Sequence, residues 1–179
     1  MSALCVMCGH RCQVDRQKGS LGRCKAERLV GFYSAVLHFG EEPPLSGSRG
    51  SGAVFFTRCN LKCVFCQNWQ ISQNFKESYD IEPSTLTEVF LKLAESGAHN
   101  VNLVSPTPYV PQIALALAEA KAKGLNLPII YNSGGYDSLE ALAMMEGLVD
   151  IYLPDAKIGL APEDNLDEPD SRSMRLFGA

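Results

Sequence analysis

Cysteine is absent from residues 67–179, and all seven cysteines of the chain fall within its first 66 residues. An odd number of cysteines cannot pair completely, and the density is below that of a secreted disulfide scaffold. The sequence also lacks any run of 18 apolar residues, and its start, MSALCVMCGHRC, lacks the apolar core of a signal peptide. These absences predict reduced thiols that bind metal in the cytoplasm, with no membrane association.

An excess of positive charge is missing as well. The chain has 16 Lys and Arg against 20 Asp and Glu, a formal net charge of −4. This balance makes nucleic acid an improbable partner. The 179 residues, 46% of them hydrophobic, suffice for one globular domain with a proper core.

The pattern divides the chain into three parts. Residues 1–30 are polar and Cys-rich, which suits a small metal-binding segment better than a packed subdomain. Residues 31–158 form the predicted core, which begins with a loop over 31–50 rich in Gly, Pro and Ser. Residues 159–179 are acidic, without a clear period, and are predicted to be disordered.

The core alternates short apolar runs with amphipathic stretches. Strands are predicted over 53–57, 101–104, 127–131 and 150–153, and helices over 83–97, about 111–124 and about 138–147. This alternation predicts an α/β fold, a partial parallel (β/α) barrel of about four βα units. The strand ends carry TRCNLKC, SPTP, NSGG and PDAK, which we expect to meet around one site.

The stretch after the first strand holds Cys59, Cys63 and Cys66 in the spacing C-x3-C-x2-C, with no fourth Cys or His nearby. A structural zinc site is closed by four ligands, whereas three thiolates can hold three corners of a 4Fe–4S cluster and leave one iron open. The spacing alone also fits zinc or chance. The missing ligand indicates that a co-substrate completes the site.

With Phe65 before the third cysteine, this loop resembles the signature of the radical S-adenosylmethionine (radical SAM) superfamily, C-x3-C-x-aromatic-C. The resemblance implies a 4Fe–4S cluster that binds S-adenosylmethionine and cleaves it reductively, giving methionine and a 5′-deoxyadenosyl radical. It also implies an oxidoreductase that draws electrons from a donor such as flavodoxin or ferredoxin.

Residues 31–158 are most similar to the pyruvate formate-lyase-activating branch and its uncharacterised Fe–S relatives. In that branch the second strand ends in Gly-Gly-Glu, and here Ser105-Pro106-Thr107 stands instead. The resemblance implies activation of a glycyl radical enzyme, and hence a protein substrate. By the same resemblance, the residues expected to contact the cofactor are Phe65, Gln67, Ser105, Thr107, Asn132, Ser133 and Lys157.

Simpler interpretations exist for three of these residues. Phe65 could fill the core, Asn132 could cap a helix, and Lys157 could be a solvated side chain at a strand end. Their common position at strand ends favours a functional site.

The N-terminal cysteines form a second group with the spacing C-x2-C-x3-C-x11-C, which comprises Cys5, Cys8, Cys12 and Cys24. Four thiolates suit either a structural zinc ion or a second, fully ligated Fe–S cluster. His10 beside them is expected to be a bystander.

A radical SAM core usually has six βα units, so the four predicted here suggest a truncated barrel whose last strand is an exposed hydrophobic edge. Two other functions therefore remain open: a non-catalytic metal-binding fragment or subunit, and an electron carrier that uses two clusters.

Overall fold

The computed structural model describes residues 4–74 and 78–155. Lys157 and the tail over 159–179 lie outside the described residues. The elements follow in the order β1 (Val30–His38), α1 (Pro43–Ser46), β2 (Ser51–Phe56), α2 (Trp69–Ser72), β3 (Tyr79–Ile81), α3 (Pro83–Glu95), β4 (Val101–Val104), α4 (Val110–Ala122), β5 (Ile129–Ser133), α5 (Leu139–Met145) and β6 (Ile151–Pro154).

A single mixed sheet joins the six strands of the described residues in the order β3-β1-β2-β4-β5-β6. β2, β4, β5 and β6 pair in parallel, and each new strand is added on the same side of the last. This progression is that of a barrel rather than of a sheet wound in two directions. The α/β class and the partial parallel barrel are thereby confirmed.

The predicted loop over 31–50 was wrong in its first part. β1 runs from Val30 to His38 and pairs antiparallel with β2 on one side and β3 on the other. Its sequence VGFYSAVLH is rich in the β-branched and aromatic residues that favour strands. The Gly- and Pro-rich stretch that indicates a loop begins only at Gly40, so the loop was predicted to start too early in the chain.

The hydrophobic core lies between one face of the sheet and the helices α3, α4 and α5. Val54, Leu103 and Tyr131 are register partners on adjacent strands and all belong to this core. The helices contribute buried side chains that include Phe90 and Met145. No helix within the described ranges is long and apolar enough to span a membrane.

The opposite face of the sheet is less covered at its carboxyl end. Phe55, Val104 and Asn132 are register partners there, and all three are half-buried. Among the described strands, β3 and β6 are the two edges of the sheet, and in β6 Ile151 and Tyr152 are 37% and 43% exposed. The predicted exposed hydrophobic edge is therefore present.

The Cys-rich segment over residues 4–29 contains only a 3-10 turn, Arg16–Lys18, and two isolated bridges. One bridge joins Leu4 to Asp15 within the segment, and the other joins Cys8 to Asp137 beyond β5. The segment is therefore docked on the loop at the carboxyl end of the sheet.

Candidate functional site

The three-cysteine loop leaves the carboxyl end of β2. Cys59, Cys63 and Cys66 are free, half-buried thiols. The amide of Leu61 donates to Cys59 Sγ at 3.4 Å, and the hydroxyl of Ser72 lies 3.3 Å from Cys66 Sγ. Such hydrogen bonds stabilise thiolate charge, which is the form that binds metal.

Arg58, the residue before the first cysteine of the loop, anchors it to the sheet. Its guanidinium is buried and donates to Asp80 Oδ1 at 2.9 Å, to Glu27 Oε1 at 3.1 Å and to the Tyr109 hydroxyl at 3.3 Å. Its backbone has a φ of 62°, in the left-handed region, and its amide donates to the carbonyl of Ile71. Side chain and backbone together fix the direction in which the loop departs.

Two opposing effects act on the pKa of the Arg58 guanidinium. Burial by itself lowers it, but the hydrogen bonds with Asp80 and Tyr109 and their charges outweigh burial, so the pKa ends above its ordinary value. Arg58 is thus a permanent cation beneath the loop. The sequence analysis missed it, although a charged residue between a buried strand and Cys59 was a usable signal.

The thiols of the loop affect one another. Burial raises the pKa of Cys59, the Leu61 amide lowers it, and the charges of Cys63, Cys66 and the N-terminal Cys24 raise it further. The two cysteine groups meet at the carboxyl end of the sheet, where His10 of the N-terminal segment contacts the carbonyl of Asn60 in the cysteine loop. Within the described ranges, no three His, Cys, Asp or Glu side chains are already arranged as the ligand set of a metal ion.

Phe65 and Gln67 lie on the surface of the cysteine loop. Phe65 is 66% exposed, and Gln67 is exposed as well. The interpretation of Phe65 as a core residue is therefore wrong. Phe65 instead offers an aromatic face to solvent beside Cys66, where a planar ligand could stack on it.

The turn after β4 stands next to the end of β5. Ser105 has a φ of 58°, and its amide donates to the carbonyl of Asn132 at 2.9 Å. Asn132 lies in β5 on the less covered face of the sheet, and it does not cap a helix. The cap of α5 is Ser138, whose hydroxyl accepts from the amide of Ala141.

Thr107 and Ser133 turn toward Asp137, a residue that the sequence analysis missed. The hydroxyls of Thr107 and Tyr131 donate to Asp137 Oδ1, each at 2.7 Å, and that of Ser133 donates to Oδ2 at 2.6 Å. Thr107 and Ser133 are 1% and 5% exposed. Three hydroxyl donors around one carboxylate form a hydrogen-bonded hub that ties the turn after β4 to β5.

The structure thus places the predicted cofactor residues in three different surroundings. Ser105 and Asn132 lie together, Phe65 and Gln67 line the exposed cysteine loop, and the hydroxyls of Thr107 and Ser133 are engaged by Asp137. Lys157 falls outside the described residues, so its part in the site stays a prediction.

The N-terminal cysteine segment contacts the loops at the carboxyl end of the sheet at several points. The amide of Gly9 donates to the Tyr136 carbonyl at 3.3 Å, and His10 Nε2 lies 2.9 Å from the Asn60 carbonyl. The rings of His10 and Tyr136 meet edge to face at 5.0 Å. Both cysteine groups therefore flank the loop that follows β5.

Comparison with known proteins decides the family. The model of the radical SAM superfamily matches residues 53–158, more than half of the chain. The chain belongs to the radical SAM superfamily. An uncharacterised protein of Methanocaldococcus jannaschii is 35% identical over 164 residues, which are 87% of this chain and 46% of that protein. The chain thus spans about half the length of this relative.

No solved structure matches this radical SAM chain. The family supports radical chemistry with S-adenosylmethionine and an iron–sulfur centre. The residues present fit such a centre in their chemistry, because one loop carries three free thiols in the spacing C-x3-C-x2-C, and two of these thiols have hydrogen-bond partners. The buried Arg58 anchors this loop to the sheet. Cys59, Cys63 and Cys66 would hold it.

Proposed function

We propose that this chain is an oxidoreductase that cleaves S-adenosylmethionine reductively at a 4Fe–4S cluster held by Cys59, Cys63 and Cys66. The observation that carries the proposal is the loop itself: three thiols follow directly on a buried strand of the matched domain, with no fourth Cys or His in residues 67–74. The chemistry that such a cluster supplies is one-electron cleavage of the sulfonium, which yields methionine and a 5′-deoxyadenosyl radical.

The residues of the chain have the tasks of binding and orientation. The Leu61 amide and the Ser72 hydroxyl stabilise the thiolates of Cys59 and Cys66. Phe65 offers a stacking surface for the adenine, and the Asn132 side chain is available on the less covered face for the cofactor's polar groups. Gln67 and Lys157 complete the proposed set.

Ser105 fits the task of receiving the cofactor's amine through its backbone. The family's Gly-Gly-Glu turn is replaced here, and the hydroxyl of Thr107, the next candidate acceptor, already bonds to Asp137. The left-handed Ser105 keeps the sharp turn that a glycine would make, since its φ is 58°. Carbonyl groups of this turn would then accept the hydrogen bonds of the amine.

The proposal includes a substrate and an electron donor. The radical abstracts a hydrogen atom from a glycine of a partner protein, and flavodoxin or ferredoxin supplies the electron in the cytoplasm. The support for this part is the resemblance of the sequence over residues 31–158 to the pyruvate formate-lyase-activating branch. The exposed Val64, Phe65 and Trp69, at 99%, 66% and 50%, give a protein partner an apolar surface beside the cysteines.

The test is anaerobic reconstitution with iron and sulfide, followed by dithionite and S-adenosylmethionine. We expect 5′-deoxyadenosine from the wild type and none from a Cys59→Ser/Cys63→Ser/Cys66→Ser variant. A well-loaded wild-type sample that forms no 5′-deoxyadenosine would instead support a non-catalytic metal-binding subunit, which the replaced Gly-Gly-Glu turn favours.

Two further measurements separate the remaining alternatives. Calorimetric titration should show binding of S-adenosylmethionine, a result that would exclude the electron carrier. No binding would leave the electron carrier and the non-catalytic subunit as the two explanations. Incubation with a candidate glycyl radical enzyme should produce the electron paramagnetic resonance signal of a glycyl radical. Formation of 5′-deoxyadenosine without that signal would refute only the partner, not the chemistry.

A further inference from the structure

The N-terminal segment, residues 4–29, has too little apolar burial to hold its own conformation. Within it only Met7, Cys8 and Ala26 are buried hydrophobic residues, and its single regular element is the short turn Arg16–Lys18. Small segments of this kind usually depend on a disulfide or a metal ion for their fold. Cys5, Cys8, Cys12 and Cys24 are all free thiols, so a disulfide does not fill that place.

Two of these thiols share one cation. Arg16 Nη2 donates to Cys5 Sγ at 3.0 Å and to Cys24 Sγ at 3.6 Å, which brings the two sulfurs to the same guanidinium. The other nitrogen, Nη1, donates to the carbonyl of Pro108 beyond β4. The Pro108 carbonyl therefore holds the guanidinium of Arg16 in place, with its positive charge next to the sulfurs of Cys5 and Cys24.

A backbone amide bonds to a third sulfur. The amide of Arg23 donates to Cys12 Sγ at 3.4 Å. The sulfurs of Cys5, Cys12 and Cys24 thus each accept a hydrogen bond from an N–H group, the kind of contact that thiolate ligands of a metal ion also accept.

Backbone hydrogen bonds bring the first three cysteines of the segment together. The amide of Gln13, the residue after Cys12, donates to the carbonyl of Cys5 at 2.9 Å, and the amide of Arg11 donates to the carbonyl of Cys8 at 3.0 Å. The chain wraps closely around them, since a Cβ on Gly22 would lie 3.0 Å from Cys12 Sγ. Within the described residues, neither cysteine group has its side chains already arranged around a metal ion. We therefore expect side-chain rotations in both groups when metal binds.

We propose a structural zinc site in this segment, whose four ligands are the thiolates of Cys5, Cys8, Cys12 and Cys24. Four thiolates close the tetrahedral shell of Zn²⁺ and leave no position for a substrate. Binding displaces the thiol protons and leaves a centre of net negative charge, which the guanidinium of Arg16 and the amide of Arg23 offset.

The role of this ion is to fix the segment on the loop after β5. Two backbone hydrogen bonds make the junction and together form the bridge between Cys8 and Asp137: one from the Gly9 amide to the Tyr136 carbonyl at 3.3 Å, and one from the Ser138 amide to the Met7 carbonyl at 3.2 Å. The first of them belongs to the turn that begins at Cys8, and the second involves Met7, the residue before it. A zinc ion that fixes this turn therefore also fixes the loop that carries Asp137.

The first experiment measures metal in the chain with and without the cluster loop. Elemental analysis is made of the anaerobically purified wild type and of a Cys59→Ala/Cys63→Ala/Cys66→Ala variant. We expect about one zinc per chain in both, with absorption at the zinc edge showing four sulfurs at about 2.3 Å. Iron retained by the loop variant, or no metal in it, would overturn the proposal.

The second experiment removes the ligands. A Cys8→Ser/Cys24→Ser variant should lose the zinc, while the matched control His10→Gln should retain it with the same four-sulfur signal. Should the double variant fail to fold, the wild type is treated with a thiol reagent, and released zinc is titrated while limited proteolysis follows residues 4–29. Zinc release without new cleavage in that segment would refute the structural role.

The zinc proposal does not depend on the proposed function. Zinc bound by the N-terminal cysteines is expected even if the chain forms no 5′-deoxyadenosine. Conversely, cleavage of S-adenosylmethionine by a chain without zinc would refute this inference alone.

Discussion

The backbone of Cys8 pairs with that of Asp137 in an antiparallel bridge, which joins the N-terminal cysteine segment to the loop after β5. The side chain of Asp137 meanwhile binds the hydroxyls of Thr107, Tyr131 and Ser133. One residue therefore connects the segment, the turn after β4 and the end of β5. A substitution of Asp137 should therefore weaken the contacts of the N-terminal segment, of the turn after β4 and of the end of β5.

Replacement Asp137→Asn tests this hub. The amide keeps an acceptor for Thr107 and Tyr131, but its NH2 group faces the hydroxyl of Ser133 and the negative charge is lost. We expect the free energy of unfolding to fall by about 2 kcal/mol in urea titration. The control Glu95→Gln, at an exposed position of α3, should leave the midpoint unchanged, and an equal effect of both variants would contradict the hub.

Replacement Arg58→Met tests the anchor of the cysteine loop. It removes a buried guanidinium and its bonds to Asp80, Glu27 and Tyr109, so we expect a loss of about 2–3 kcal/mol in stability and a lower iron content after reconstitution. The matched control is Arg28→Met, which breaks an exposed ion pair with Glu82. Surface pairs contribute little, so iron loading should be normal in the control.

Gly31 is packed tightly against the same anchor. A Cβ at this position would lie 2.6 Å from Arg58 Nη1 and closer still to the hydroxyls of Thr57 and Tyr109. Gly31→Ala should therefore displace Arg58 and cost about 1–3 kcal/mol, together with reduced iron loading.

Gly97→Ala is the matched control for that steric effect. Gly97 has a φ of 80° but open space around it, so its substitution should cost about 1 kcal/mol through backbone strain alone. Iron loading should stay normal in this variant. Reduced loading in both glycine variants would mean that general destabilisation, and not contact with Arg58, controls the loop.

Tyr131 makes stability depend on pH in the alkaline range. Burial, and secondarily the Asp137 carboxylate, raise the pKa of its hydroxyl above the ordinary value. The folded state therefore holds the proton that the unfolded state releases above pH of about 10. The stability that Tyr131 contributes is fully present below that pH and is lost as pH rises.

Comparison of the wild type with Tyr131→Phe isolates this contribution. Below pH of about 10 the wild type should be more stable by about 1 kcal/mol, through the bond to Asp137. Above it the difference should shrink by up to about 1.4 kcal/mol per pH unit, measured by urea titration at several pH values. A difference that does not change with pH would show that Tyr131 ionises equally in both states.

The sequence by itself determined the family signature and the alternation of strands and helices. The spacing of Cys59, Cys63 and Cys66 is a local property, and so is the apolar period that marks α3, α4 and the strands between them. The strand predicted over 101–104 is found at Val101–Val104. The next strand begins at Ile129 rather than at 127, because Pro128 before it has no amide to donate to a ladder.

Tertiary structure decided which strand-end residues face the site and which turn away. In the sequence, Thr107 and Ser133 looked equivalent to Asn132 as residues at strand ends. The left-handed turn at Ser105 directs Thr107, and the alternation of side chains along β5 puts Ser133 and Asn132 on opposite faces of the sheet. A hydroxyl bonds to whichever acceptor the fold brings within reach, and here that acceptor is Asp137. The antiparallel pairing of β1 and the docking of the N-terminal cysteines likewise depend on partners distant in the chain, which no local period can encode.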